Sequence, residues 1–108
     1  MLETIHITSH ARRRMAQRGI TKRELRICLS LGEVYHRTGA VFFVLTSKVL
    51  HKVTPFSSVI DEKMNGLTAI LHYDGEIPCV TTVYKNQNAV RNIRKKGKQN
   101  AKIKGLSC

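Results

Sequence analysis

The period of apolar positions along the chain changes three times. Thr4 to Thr8 (TIHIT) alternates and reads as a short strand or extended lead-in. From Ser9 the spacing lengthens. In SHARRRMAQRG only Ala11, Met15 and Ala16 are apolar, and Ala11 and Met15 stand four apart, as on one helix face. Thr8 or Ser9 supplies a cap for a helix running to about Arg18, and Gly19 supplies its left-handed stop. Thr21 and Glu24 have capping-box spacing, so a second helix follows at once, running to about Leu31 and ending at Gly32. Its Leu25, Cys28 and Leu29 share a face that Ile27 and Leu31 widen. The second helix is therefore expected to be well buried and the first only lightly.

From Glu33 the character is that of strands. EVYHR, AVFFVLT and KVLHKVT are rich in Val, Phe and Tyr and are separated by Thr-Gly and Ser-Lys. Residues 55–66 read as irregular, with room for one helical turn, and close on an Asn65-Gly66 turn. LTAILHY (67–73) and CVTTVYK (79–85) flank the hairpin signal Asp74-Gly75 and are expected to pair antiparallel at the sheet centre. NQNAVRNIRKKGK predicts a basic helix from about Gln87 to Lys96. The order is two N-terminal helices, a curved antiparallel sheet of about four strands and a C-terminal basic helix, an α+β fold. One domain is expected over 1–98, with 99–108 a basic, disordered tail.

Charge changes this picture more than composition does. The 108 residues carry a net charge of +12, from 19 basic and 7 acidic side chains. Seven of the basic residues fall between Arg12 and Arg26 and eight between Lys85 and Lys104, with four in between. Two basic ends around a nearly neutral middle are an electrostatic footprint for a polyanion. No amphipathic apolar face accompanies them, so nucleic acid fits better than a membrane surface. No apolar run reaches membrane-span length, and MLETIHITS lacks the features of a secretory signal. Three widely spaced cysteines without a CxxC pair indicate neither a disulfide framework nor a cysteine zinc site, and a cytoplasmic location is expected.

On the first helix, His10, Arg14 and Arg18 form one stripe beside Ala11 and Met15, whereas Arg12 and Arg13 point to solvent. The border arginines can be held by packing and offer bidentate bonds to phosphate. Two plainer readings stand beside this one. Arg14 and Arg18 can brace Glu24, Glu33 or backbone carbonyls, and His10 can simply bond the first helical turn.

HARRRMAQRGI is similar to the HAxxRMxQRGI opening motif of a large family of small prokaryotic proteins of unknown function. The likeness continues through LGEVYHRTGAVFFVL, NGLTAILHYDG and TVYKNQNAVRNIRKKGK, covering about residues 5 to 98, and departs from the family at 48–64. That family resembles a branch of the RelE-, barnase- and colicin-nuclease-like (BECR) superfold, whose members are metal-independent ribonucleases, many of them toxins with acidic antitoxin partners. The resemblance implies site positions at His10, Arg14, Arg18, Thr82 and Tyr84, with the first helix lying over the sheet face that displays Thr82 and Tyr84. Thr81 and Val83 would then face the other side.

The implied activity is endoribonuclease cleavage by acid–base chemistry, with RNA or the ribosome as target. His10 would act as base or acid, the arginines would stabilise the phosphorane, and Tyr84 would donate a proton, bind phosphate or stack on a base. Arg12, Arg13, Lys85, Arg91, Arg94, Lys95 and Lys96 would supply phosphate attraction. Scattered acids, with only Asp61 and Glu62 adjacent, fit a two-metal nuclease poorly, and no metal or other cofactor is expected. The alternatives are a non-catalytic RNA- or DNA-binding module, or an interaction module for an acidic, antitoxin-like protein.

Overall fold

The computed structural model describes residues 5–56, 60 and 62–96, so the expected tail at 99–108 lies outside the described residues. A two-residue strand β1 (His6–Ile7) leads into α1 (Ser9–Arg18) and α2 (Lys22–Leu31). Strands β2 (Glu33–Arg37) and β3 (Ala40–Val44) come next, then α3 (Ser47–Val53) and 3₁₀ turns at Thr54–Phe56 and Glu62–Met64. Strands β4 (Leu67–Asp74) and β5 (Ile77–Lys85) and the short helix α4 (Ala89–Arg94) complete the order. The expected α+β class and element order hold. No helix among the described residues is long and apolar enough to cross a membrane.

Local chemistry explains both N-terminal helices. Thr8 caps α1 by accepting from the Ala11 amide at 3.1 Å, and Gly19 ends it in the left-handed region. Only Ala11 and Met15 of α1 are buried. Burying one Met side chain contributes about 1.5–3 kcal/mol, so α1 depends as much on its cap and tethers as on its apolar face. In α2 the capping box is complete: Glu24 N donates to Thr21 and Thr21 N donates to Glu24. Leu25 and Cys28 are buried, while Leu31 is 38% exposed.

One predicted strand is overturned. KVLHKVT forms most of α3 rather than a strand. Thr46 accepts from the Val49 amide and starts the helix, and Leu50 is buried with Val49 and Val53 packed beside it. Helical spacing lets these three reach the core together, and that burial outweighs the β preference of valine. The C-terminal helix is also shorter than the predicted 87–96, because Asn86 to Asn88 form a turn before it.

The sheet order is β1-β5-β4-β3-β2, with β1 parallel to β5 and all other pairs antiparallel. Strand β4, not the β4–β5 pair as a whole, is the central one. The larger core lies on one face, where Ala11, Met15, Leu25 and Cys28 meet Leu67, Ala69, Leu71, Val80 and Val83. On the opposite face a smaller cluster joins Ala40, Phe42 and Val44 to Ala89 and Ile93, so α4 covers the β2–β3 half. Three connections are pinned at one sheet end: Gly66 N donates to Leu45 O at 2.8 Å and Asn86 N to Gly66 O at 2.9 Å. Gly66 has φ 85°, and a Cβ there would lie 2.7 Å from the Asn86 backbone.

Two stability predictions follow from this packing. Gly66→Ala is expected to lose about 2–3 kcal/mol in urea denaturation, combining left-handed strain with a backbone clash. Gly75→Ala, at φ 69° with open space around it, is expected to lose only about 1 kcal/mol. Burial pushes the Cys28 thiol from 9.0 up to about 12, and the thiol lies 3.3 and 3.4 Å from the carbonyls of Phe43 and Leu67. The unfolded chain therefore releases this proton first. The stabilising contribution is complete below pH 9 and is lost as pH rises from 9 towards 12. Denaturation at pH 8 and pH 10 should show wild type losing about 1 kcal/mol more than Cys28→Ala over that step.

Candidate nucleic-acid interface

Strand β5 carries one residue more than its partner requires. Thr82 pairs with Ile70 but Val80 pairs with Leu71, so Thr81 forms a bulge. This reverses the alternation, and Val80 and Val83 both reach the larger core although they are three apart. Thr81 was expected to share a face with Val83, opposite to Thr82 and Tyr84. Instead its hydroxyl lies 3.0 Å from His72 Nδ1, and His72 alternates with buried Leu71 and so faces away from that core. The half-buried side chains of His72, Thr81, Thr82 and Tyr84 thus occupy the β4–β5 part of the face away from α1 and α2.

Hydrogen bonding within this strip orders the imidazole. Thr81 Oγ1 donates to Ile70 O at 3.3 Å, so it accepts from His72 Nδ1–H, the arrangement that in the neutral ring places the lone pair on Nε2. Burial raises the Tyr84 phenol above its ordinary value, against the opposing effect of a hydrogen bond with Thr68. At neutral pH Tyr84 is therefore a donor. Lys85 alternates to the helix side at the strand end and is exposed.

The expected placement of α1 over Thr82 and Tyr84 is overturned. Helix α1 packs through Ala11 and Met15 on the face of Val80 and Val83. Its two ends are tied to outward carbonyls of β5: Thr8 N donates to Val80 O at 3.1 Å and Arg18 Nη1 to Val83 O at 2.8 Å. Arg18 is thus a brace on the sheet edge, the plainer of its two readings. Arg14 shares that flank, is exposed and reaches Gln17 at 3.4 Å, while His10 is exposed in the first turn. Arg12 departs from the solvent-only expectation, because its Nε donates to Ile7 O at 3.2 Å; Arg13 is exposed. The stripe therefore borders the β5 edge, where Arg18 reaches it at Val83 O.

On the other side of the strip, α4 presents exposed Arg91 and Arg94, followed by exposed Lys95 and Lys96. Arg94 and Glu33 both hydrogen-bond the Tyr35 phenol, with Glu33 at 2.7 Å. Burial first, and then Glu33, push this phenol up. Sequence reasoning missed His72, Thr81 and Tyr35 as surface features. The alternation of β4 does place His72 opposite Leu71, but nothing in the sequence marks the bulge. Register also lines up His6, Cys79 and His72 across three strands, yet no group of three His, Cys, Asp or Glu is placed to hold a metal ion among the described residues.

A search of curated proteins and a search of solved structures each returned no match. The scan of family models did: the one described as "Domain of unknown function (DUF4258)" matches residues 7–90, most of the chain, including α1, the whole sheet from Ile7 and the start of α4. This protein belongs to the DUF4258 family.

Proposed function

We propose that this chain binds RNA and cleaves it without a metal ion, as a toxin-like endoribonuclease of the RelE-, barnase- and colicin-nuclease-like superfold. The observation that carries the proposal is the polar strip of His72, Thr81, Thr82 and Tyr84, half-buried on a sheet face between two basic helices. Strand cleavage by the 2′-hydroxyl needs a base, an acid for the departing 5′-oxygen and cations near the phosphorane. His72 Nε2, with its ring fixed through Thr81, is suited to take the 2′-hydroxyl proton. The neutral Tyr84 phenol is suited to donate to the leaving oxygen or a phosphate oxygen. Thr82 shares that face, and Arg14 and His10 reach RNA from the β5 edge. Arg18 retains further guanidinium donors beyond the one committed to Val83 O.

The exposure of His10 and Arg14 favours a second reading, RNA binding without cleavage. Binding needs only a basic surface that continues from α1 across the β5 edge to α4.

Incubation with single-stranded RNA in EDTA separates the two. Cleavage should persist with chelator and fall by about 10²–10⁴-fold in His72→Ala and Tyr84→Phe, the usual effect of removing a general base or acid. Arg14→Ala should chiefly weaken binding. Loss of cleavage in EDTA sinks the metal-free mechanism, and undiminished cleavage by both strip variants removes the site. RNA binding that weakens steeply with salt, with no cleavage, leaves the plain binder.

A further inference from the structure

At the sheet end where β3 leaves and β5 enters its turn to α4, the three pinned connections enclose an open groove of about 510 Å³. That is within the roughly 300–1,000 Å³ of small-ligand sites. We infer that this groove is a nucleotide subsite, with side-chain amides for the base edge and cations for the phosphate; as a subsite for RNA it rests on the RNA-binding reading above. The lining supports this chemistry. Four amide-bearing residues line the groove from two connections, Asn65 from one and Asn86, Gln87 and Asn88 from the other. An amide presents a donor and an acceptor side by side, the pattern that matches a base edge. Asn86 Oδ1 accepts from Asn88 N at 2.9 Å, which orients the amide and leaves its NH₂ to donate.

The cations stand at the rim. Lys48 and Arg94 line the groove and both are exposed, Lys48 in the first turn of α3 and Arg94 at the end of α4. Glu33, the acid of the lining, is engaged by the Tyr35 hydroxyl at 2.7 Å and the Thr46 hydroxyl at 3.2 Å, so its oxygens are directed at neighbours. The floor is preorganised, because Gly66 N–H and C=O hold the Leu45 and Asn86 backbones together. Preorganisation lowers the cost of ordering a bound ligand. Asn86 lies two residues beyond Tyr84, so a strand of RNA crossing the polar strip passes onto the groove within about one nucleotide step.

The subsite would accept either one nucleotide of single-stranded RNA or a free nucleotide. Titration of the isotopically labelled full chain, followed by amide NMR, distinguishes these sources. One arm adds a short single-stranded RNA, a second an otherwise identical strand with one abasic position, and a third nucleoside monophosphates. The subsite predicts shifts concentrated at 46–48, 65–66 and 86–88, and binding weakened several-fold by the abasic position. Lys48→Ala with Gln87→Ala should weaken intact RNA about tenfold and abolish the base preference, while Tyr84→Phe leaves the groove shifts in place. RNA binding that shifts only the β4–β5 strip and α1, or that is unaffected by the double substitution, overturns the subsite and leaves RNA binding standing. Groove shifts with monophosphates but no RNA binding uphold the nucleotide site and overturn its RNA role. No response to any probe overturns both.

Discussion

The extra residue in β5 is the constraint on which the rest depends. A regular strand cannot send residues three apart to the same face. Val80 and Val83 nevertheless both reach the core against α1, and the bulge at Thr81 is what permits it. The same irregularity puts Thr81, Thr82 and Tyr84 together on the other face, within reach of His72. Hydrophobic burial on one side and polar assembly on the other are thus two consequences of one inserted residue.

That strand is also the outer one along most of its length, since β1 is only two residues long. Its outward carbonyls would attract another strand if left open. Here Thr8 N takes Val80 O and Arg18 takes Val83 O. A helix with little apolar surface is fastened by polar tethers to an edge that needs covering. The fastening sets the basic α1 flank beside the polar strip rather than over it, so α1 serves architecture and charge placement at once.

The opposite side has its own tie. Tyr35, gripped by Glu33 and Arg94, links β2 to the end of α4, while Ala89 and Ile93 bury the helix against β3. Because α4 sits on the β2–β3 half, the β4–β5 half of that face carries no described helix. The proposed RNA path, from the α1 flank across the strip to the groove, follows this uncovered route.

Much of the fold was legible in sequence because its signals were local. The Thr8 cap, the Gly19 stop, the Thr21–Glu24 box and the Asp74-Gly75 hairpin each operate within a few residues. The basic character of both ends was likewise plain in the chain. The segment at 48–54 misled because valine-rich residues suit a strand or a buried helix alike, and only the core that receives Leu50 decides. Which face each β5 side chain takes, which carbonyl Arg18 reaches, and what His72 touches were settled by tertiary structure. Each depends on register with a strand distant in sequence, and one bulge changes the parity of every position beyond it.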